Sequence, residues 1–80
     1  MQYKCKVTVI DKKVLKVDTN EREQNKIAAA IKNLGGVNDS IYRADKKFIE
    51  IFMDKNFPVS DDKIISAVNS VGDYKIFDID

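Results

Sequence analysis

Two ten-residue segments of the chain share one order of apolar and polar residues, 37 positions apart. Residues 26–35 read Lys-Ile-Ala-Ala-Ala-Ile-Lys-Asn-Leu-Gly, and residues 63–72 read Lys-Ile-Ile-Ser-Ala-Val-Asn-Ser-Val-Gly. In both, the aliphatic residues recur at three- and four-residue intervals, which is the period of a helix with one apolar face. Each segment lies between two runs of strand character, so the repeat predicts two strand–helix–strand units.

Capping residues set the expected ends of the two helices. Thr19 or Asn20 can cap the first helix, and Ser60 can cap the second, in each case just before acidic residues that favour a helix N-terminus. Gly35 and Gly72 follow the last apolar residue of each segment. We expect a left-handed cap at Gly35 and the end of the second helix at Gly72.

Alternating apolar residues predict the strands. In residues 47–53, Ile49 and Ile51 share one face, whereas Phe48, Glu50 and Phe52 share the other. The other strand-like runs around the helices are residues 14–17, 37–44 and 74–79. Together they predict a single domain over residues 1–80: an α+β, ferredoxin-like βαββαβ sandwich with two helices on one face of an antiparallel sheet.

A further strand-like run precedes this pattern. Residues 3–10 alternate Tyr3, Cys5 and Val7 with polar residues, and Asp11-Lys12-Lys13 interrupts the run. A hairpin at these three residues predicts an additional N-terminal strand and a five-stranded sheet. Alternatively, residues 3–17 form one long, bulged strand.

Composition narrows the classes of function. Fourteen basic residues stand against thirteen acidic ones, with the signs interspersed, so we expect neither a nucleic-acid nor a membrane surface. No apolar run approaches the length of a signal peptide or a membrane span, which makes the cytoplasm the expected location. The chain has no histidine and one cysteine, which removes the common catalytic dyads and zinc sites. We therefore expect a protein that is not an enzyme and has no cofactor.

From residue 14 onward the chain resembles the heavy-metal-associated domain, the small fold of copper chaperones and metal-pump N-termini. The resemblance rests on four stretches, which are residues 25–31, Leu34-Gly35-Gly36-Val37, Ile49-Glu50-Ile51-Phe52-Met53-Asp54 and residues 63–74. It implies the βαββαβ fold. It also implies where the family's metal-binding Cys-x-x-Cys pair would fall, namely at Asn20 and Glu23. An amide and a carboxylate do not replace the thiolates that soft ions prefer, so the resemblance implies the fold with a degenerate metal loop.

Two interpretations remain for the residues near this loop. Asp18, Asn20 and Glu23, with Cys5, form the alternative ligand set of a metal-binding or metal-transport domain with non-standard ligands. Helix capping and first-turn acids explain the same oxygen-bearing residues without a metal, and Cys5 lies on the apolar side of its strand as a small hydrophobe. We therefore expect no metal site.

The expected function is a binding or self-association module. Tyr42, Phe48 and Phe52 lie on neighbouring predicted strands and suggest either a base-stacking RNA platform or a surface covered by protein. No RNA-recognition signature accompanies them. We expect a protein partner, or a second copy in a homodimer, to bind the sheet face or an edge strand.

Overall fold

The computed structural model describes residues 9–80 and contains the two expected strand–helix–strand units. The elements are β1 (Ile10–Asp18), α1 (Glu21–Lys32), β2 (Val37–Arg43), β3 (Phe48–Asp54), α2 (Asp61–Val71) and β4 (Lys75–Ile79). The strands form an antiparallel sheet in the order β2-β3-β1-β4. β1, which leads into the first helix, therefore has a neighbour on both sides. The ferredoxin-like βαββαβ fold is confirmed.

The hairpin expected at Asp11-Lys12-Lys13 is wrong, because these residues continue β1. Each pairs with a residue of β3, from Asp11 opposite Met53 to Lys13 opposite Ile51. The irregularity in β1 lies further on, between Lys16 and Val17. The described residues form four strands. The rest of the predicted additional strand, including Cys5, lies outside them.

The core lies between the sheet and the two helices. β3 contributes its alternating residues Ile49, Ile51 and Met53, all of which are completely buried. The other buried apolar side chains are Leu15, Val17, Ile27, Ala28, Ile31, Val59, Ile64, Ala67 and Val68. The apolar stripes of the two repeated segments therefore meet over the same sheet face, as their spacing predicts.

The two N-caps and the end of the second helix at Gly72 follow the sequence prediction, whereas the end of the first helix does not. Asn20 and Ser60 cap the helices, each accepting a hydrogen bond from a backbone N–H three residues later. The left-handed cap expected at Gly35 is wrong: α1 ends at Lys32, and the positive φ of 94° belongs to Gly36. Neither described helix has the length and apolar character that a membrane crossing requires.

The opposite face of the sheet carries no helix, and we call it the open face. The cross-strand register places on it Lys12, Val14, Ile41, Arg43, Phe48, Glu50 and Phe52. Tyr42 pairs with Ile49 and packs against the core on the helix side. The three aromatic residues considered as an RNA platform therefore do not share a face.

Candidate functional site

The candidate site lies where the central strand β1 passes into α1. β1 ends at Asp18, Thr19 forms the connection, and Asn20 caps the helix. This short passage lies at an end of the sheet and includes both positions that the resemblance assigns to metal-binding cysteines, Asn20 and Glu23. The hydrogen bonds of these side chains determine what the site can bind.

The side chain of Asn20 caps α1. Its Oδ1 atom accepts a hydrogen bond of 2.9 Å from the backbone N–H of Glu23. Its backbone conformation is extended, with φ −77° and ψ 167°, as a cap requires. The side-chain oxygen of Asn20 thus satisfies one of the unpaired donors at the start of α1.

Glu23 joins the start of α1 to the segment before β4. The Tyr74 hydroxyl donates a hydrogen bond of 2.6 Å to its Oε1 atom, and Lys26 Nζ lies 3.2 Å from its Oε2 atom. Gly72 permits this arrangement, since a Cβ atom there would lie 2.9 Å from the Tyr74 ring. The carboxylate expected as an alternative metal ligand is therefore already engaged by a hydroxyl and an ammonium group.

These contacts shift the pKa values of both partners. The hydrogen bond from Tyr74, followed by that from Lys26, lowers the pKa of Glu23 below its ordinary 4.5. The same bond to Glu23 raises the pKa of Tyr74 above 10.0. Both shifts favour the arrangement of an ionised Glu23 beside a neutral Tyr74 at neutral pH.

Replacing Tyr74 with phenylalanine is expected to raise the pKa of Glu23 towards 4.5, because it removes the largest cause of the lowering. In the native chain, Glu23 stabilises the fold above the unfolded pKa and loses that contribution as the pH falls through the lower folded pKa. An NMR titration that detects the side-chain carboxyl of Glu23 measures this pKa directly. Tyr42→Phe is the control and should leave the pKa of Glu23 unchanged. Equal Glu23 midpoints in the native chain and Tyr74→Phe would contradict the assignment.

Sequence reasoning did not identify Gln24 as part of this site. Gln24 is 2% exposed, and its Nε2 atom donates a hydrogen bond of 2.7 Å to the backbone carbonyl of Val17. Its Oε1 atom is buried without a hydrogen-bond partner. Its spacing could have indicated that it is buried, because Gln24 lies three residues before Ile27 on the buried stripe of α1.

Within residues 9–80, no group of three or more histidine, cysteine, aspartate or glutamate side chains is arranged to hold a metal ion. Asp18 is exposed, and Asn20 and Glu23 make the bonds described above. Cys5 lies outside the described residues. The structure thus brings Asp18, Asn20 and Glu23 into one short segment without forming them into a ligand cluster, and the metal alternative stays a prediction.

A second polar cluster lies at the centre of the open face. Glu50 pairs with Lys12, at 3.1 Å, and with Arg43 on the strand on its other side. The hydrogen bond from Arg43, and then that from Lys12, lowers the pKa of Glu50. The hydrogen bond to Glu50 raises the pKa of Arg43. The side chain of Glu50 is 13% exposed, so three strands share a largely covered carboxylate.

Comparisons with known proteins give the same fold. No protein-family model matches the chain, and no curated protein matches it. The solution structure of a Bacillus anthracis str. Ames protein, assigned as copper-ion-binding, superposes with a TM-score of 0.67 at 19% identity, covering 88% of this chain and 99% of that one. A crystal structure of a copper-binding domain from the P-type ATPase HMA7 gives 0.64 at 21% identity, covering 86% and 96%.

These similarities extend over nearly the whole of both solved domains and confirm the resemblance to heavy-metal-associated domains at the level of the fold. Because one fold hosts many functions, copper binding is a property of those two proteins. For the present chain, function has to be argued from its own side chains.

Proposed function

We propose that this domain is a non-enzymatic self-association module that binds a second copy through its open face and has a degenerate metal loop. The observation that carries the proposal is the open face itself. It presents half-buried apolar residues around the covered Glu50 cluster, and no element within residues 9–80 packs over it. The following paragraphs give the support for each part.

The loop chemistry argues against a soft metal ion. Cu(I) prefers thiolate ligands, whereas the two corresponding positions hold an amide and a carboxylate. Asn20 Oδ1 already caps α1, and Glu23 already accepts bonds from Tyr74 and Lys26. Binding a cation there would compete with these bonds, which lowers the affinity.

The open face has the apolar content of a contact surface. Val14, Ile41, Phe48 and Phe52 lie on three adjacent strands, and each is partly exposed to solvent. Ile10, at the start of β1, is 49% exposed on the same face. A domain of this size buries a small core, so covering these side chains adds apolar burial that the monomer lacks.

The charges of the open face favour a second copy over an unrelated partner. Lys12 and Arg43 lie on either side of Glu50, so both signs occur within one patch. In a two-fold interface the same patch meets itself, and a patch that carries both signs can place each charge against its opposite. A face of one sign would repel its own copy.

The sheet edge at β4 is the less suitable surface. β4 has five residues, and Lys75 and Asp78 are exposed along it. Short, charged edge strands resist pairing with another chain. The face of the sheet is therefore the better candidate surface than the β4 edge.

Phe52→Lys is expected to weaken the dimer by roughly tenfold or more, because it places a charge at the centre of an apolar contact. Sedimentation equilibrium over a series of concentrations measures the dissociation constant. Phe57→Lys is the matched control, since Phe57 is 72% exposed in the loop before α2 and lies off the open face. A native chain that remains monomeric at millimolar concentration, or equal weakening by both variants, would refute the proposal.

Metal binding is the second candidate, because both structural neighbours are described as copper-binding. It would use Asp18, Asn20 and Glu23, with Cys5 as the only thiol of the chain. Oxygen ligands of this kind suit a hard cation better than copper. The two candidates predict different responses to a titrated metal ion. Metal binding predicts shifts of the amide signals in the loop between β1 and α1, whereas self-association predicts no shift there.

A further inference from the structure

The acidic and basic side chains of the β2–β3 hairpin lie at opposite ends of the open face. Asp39 pairs with Phe52, near the end of β3, and Asp54 is the last residue of that strand. Asp54 in turn pairs with Ile10 of β1. Directly opposed residues share a face of a sheet, so both carboxylates lie on the open face with Phe52 and Ile10. We call the pair Asp39 and Asp54 the acidic end.

The other end of the hairpin carries cations. Arg43 pairs with Phe48, the first residue of β3, and therefore lies on the open face. Lys46 follows in the turn between the two strands. Its Nζ atom lies 5.8 Å from the centre of the Phe48 ring, which places its charge on the same face. Asp45 in the same turn offsets one of these two positive charges. We call the pair Arg43 and Lys46 the basic end.

Part of this charge is not neutralised within the protomer. Neither Lys46 nor Asp54 forms a salt bridge within residues 9–80. Asp39 lies 3.6 Å from Lys32 of α1, and the two side chains are 44% and 61% exposed. Exposed pairs of this kind contribute little free energy, so an outside partner can compete with them. Each end of the hairpin therefore has a charge available to a molecule on the open face.

The other half of the open face adds no opposing gradient. There, Lys16 pairs with Asp78 and Asp18 pairs with Lys75, so each cation has a carboxylate directly across from it on the neighbouring strand. Opposite charges in register attract and largely cancel at a distance. The polarity of the open face is therefore that of the β2–β3 hairpin, which is acidic where β3 ends and basic where β3 begins.

Two-fold symmetry allows this face to meet its own copy in two ways. With the axis along the strands, the strands of the two protomers run parallel, and each end meets its own kind. With the axis across the strands, the strands run antiparallel, and each acidic end meets a basic end. Packed sheets with aligned strands keep the strand directions within about 30° of one another, so the ends of the two faces come together.

We propose that the second copy binds the open face with its strands antiparallel to those of the first, so that an acidic end meets a basic end on both sides of the apolar centre. This inference rests on the proposed self-association and specifies its geometry. Asp39 and Asp54 of one protomer then approach Arg43 and Lys46 of its partner. The parallel arrangement would instead place like charges together at both ends, which disfavours association.

Charge reversal distinguishes the two arrangements. Asp54→Lys reverses the unpaired charge of the acidic end, and Lys46→Glu reverses that of the basic end. In the antiparallel dimer each variant places like charges at positions 46 and 54 of both contacts, so its dissociation constant should rise roughly threefold to tenfold at low salt. An equimolar mixture of the two variants restores opposite charges and should dimerise with the native affinity. Sedimentation equilibrium measures the native chain, both variants and the mixture.

Matched controls reverse the same charges away from the open face. Arg22→Glu changes an exposed position on α1, and Asp73→Lys changes an exposed position between α2 and β4. Each alters the net charge of the chain as much as the corresponding test variant does. Each should change the dissociation constant by less than about twofold, because its charge lies far from the interface and is screened.

Spin labels measure the orientation without altering a charge. Ala44→Cys, in a Cys5→Ser background, places one label per protomer in the exposed turn at the basic end. Since β2 and β3 have seven residues each, antiparallel protomers should hold the two labels roughly 25 Å apart, against about 10 Å in parallel protomers. Electron paramagnetic resonance measures this separation.

The outcomes separate the orientation from self-association itself. Labels about 10 Å apart, a mixture that dimerises more tightly than the native chain, or charge variants with the native affinity would overturn the antiparallel arrangement. Each of these results would leave intact a dimer that Phe52→Lys weakens. A native chain that stays monomeric would refute both proposals, as expected if the open face binds a different protein.

Discussion

Replacing Asn20 and Glu23 with cysteine is expected to create a Cu(I) site at the start of α1. Both side chains would project from the start of α1, three residues apart, at the positions that the resemblance assigns to the family's thiolates. Thiolates are the preferred ligands of Cu(I), so the affinity should rise by roughly a thousandfold or more. Competition against a Cu(I) chelator measures this gain, with Cys5→Ser as the background so that the new thiols are the only ones.

The two single-cysteine variants are the controls for this experiment. Asn20→Cys with Glu23→Ser, and Asn20→Ser with Glu23→Cys, each provide one thiol and disturb the same hydrogen bonds. Each should recover only a small part of the gain, because two-coordinate binding needs both thiolates. The double-cysteine variant could fold normally and yet bind Cu(I) no better than the single-cysteine variants. That result would contradict the assignment of Asn20 and Glu23 to the positions of the family's two cysteines.

Ile64→Ala is expected to lower the free energy of unfolding by about 3 kcal/mol. Ile64 is completely buried between α2 and the sheet, so truncation leaves a cavity in a tightly packed core. An 80-residue domain has a total stability of roughly 4–12 kcal/mol, so this loss is a large share of it. Urea unfolding followed by circular dichroism measures the change.

Its neighbour Ile65 is the matched control. The two residues have the same side chain on the same helix, but Ile65 is only half-buried. Ile65→Ala should therefore lower the free energy of unfolding by about 1 kcal/mol. Equal losses from the two variants would contradict the orientation of α2 on the sheet.

The repeated segments made the fold predictable because their information is local. Ile27 and Ile31 recur at helical spacing, and Ile49 and Ile51 at strand spacing, and all four are completely buried. Each pattern indicates which side of one helix or strand faces the core. Two strand–helix–strand units can form a single sheet in only a few topologies. This is why the periodicity predicted the fold and agreed with the family resemblance.

The continuation of β1 through Asp11-Lys12-Lys13 could not be predicted locally, because its causes lie far along the chain. Lys12 pairs with Glu50 across the sheet at 3.1 Å. Lys13 reaches Asp61, at the start of α2, at 2.6 Å. Three consecutive polar residues resemble a turn until these partners are known, since long-range pairing outweighs local preference.

The candidate site was predictable only in part. The sequence left Thr19 and Asn20 as alternative caps of the first helix, and the structure uses Asn20. The bond between Tyr74 and Glu23 spans 51 residues and depends on the absence of a side chain at Gly72, which no local pattern records.

Titration of the unmodified chain with Cu(I), followed by amide NMR, tests most directly whether the metal loop is degenerate. Zn²⁺ and Ca²⁺ extend the same measurement to harder ions. Because Asn20 and Glu23 are engaged within the protein, we predict no saturable shift at residues 18–24. Saturation of those amides at one equivalent of metal would contradict this account and identify the chain as a metal-binding domain.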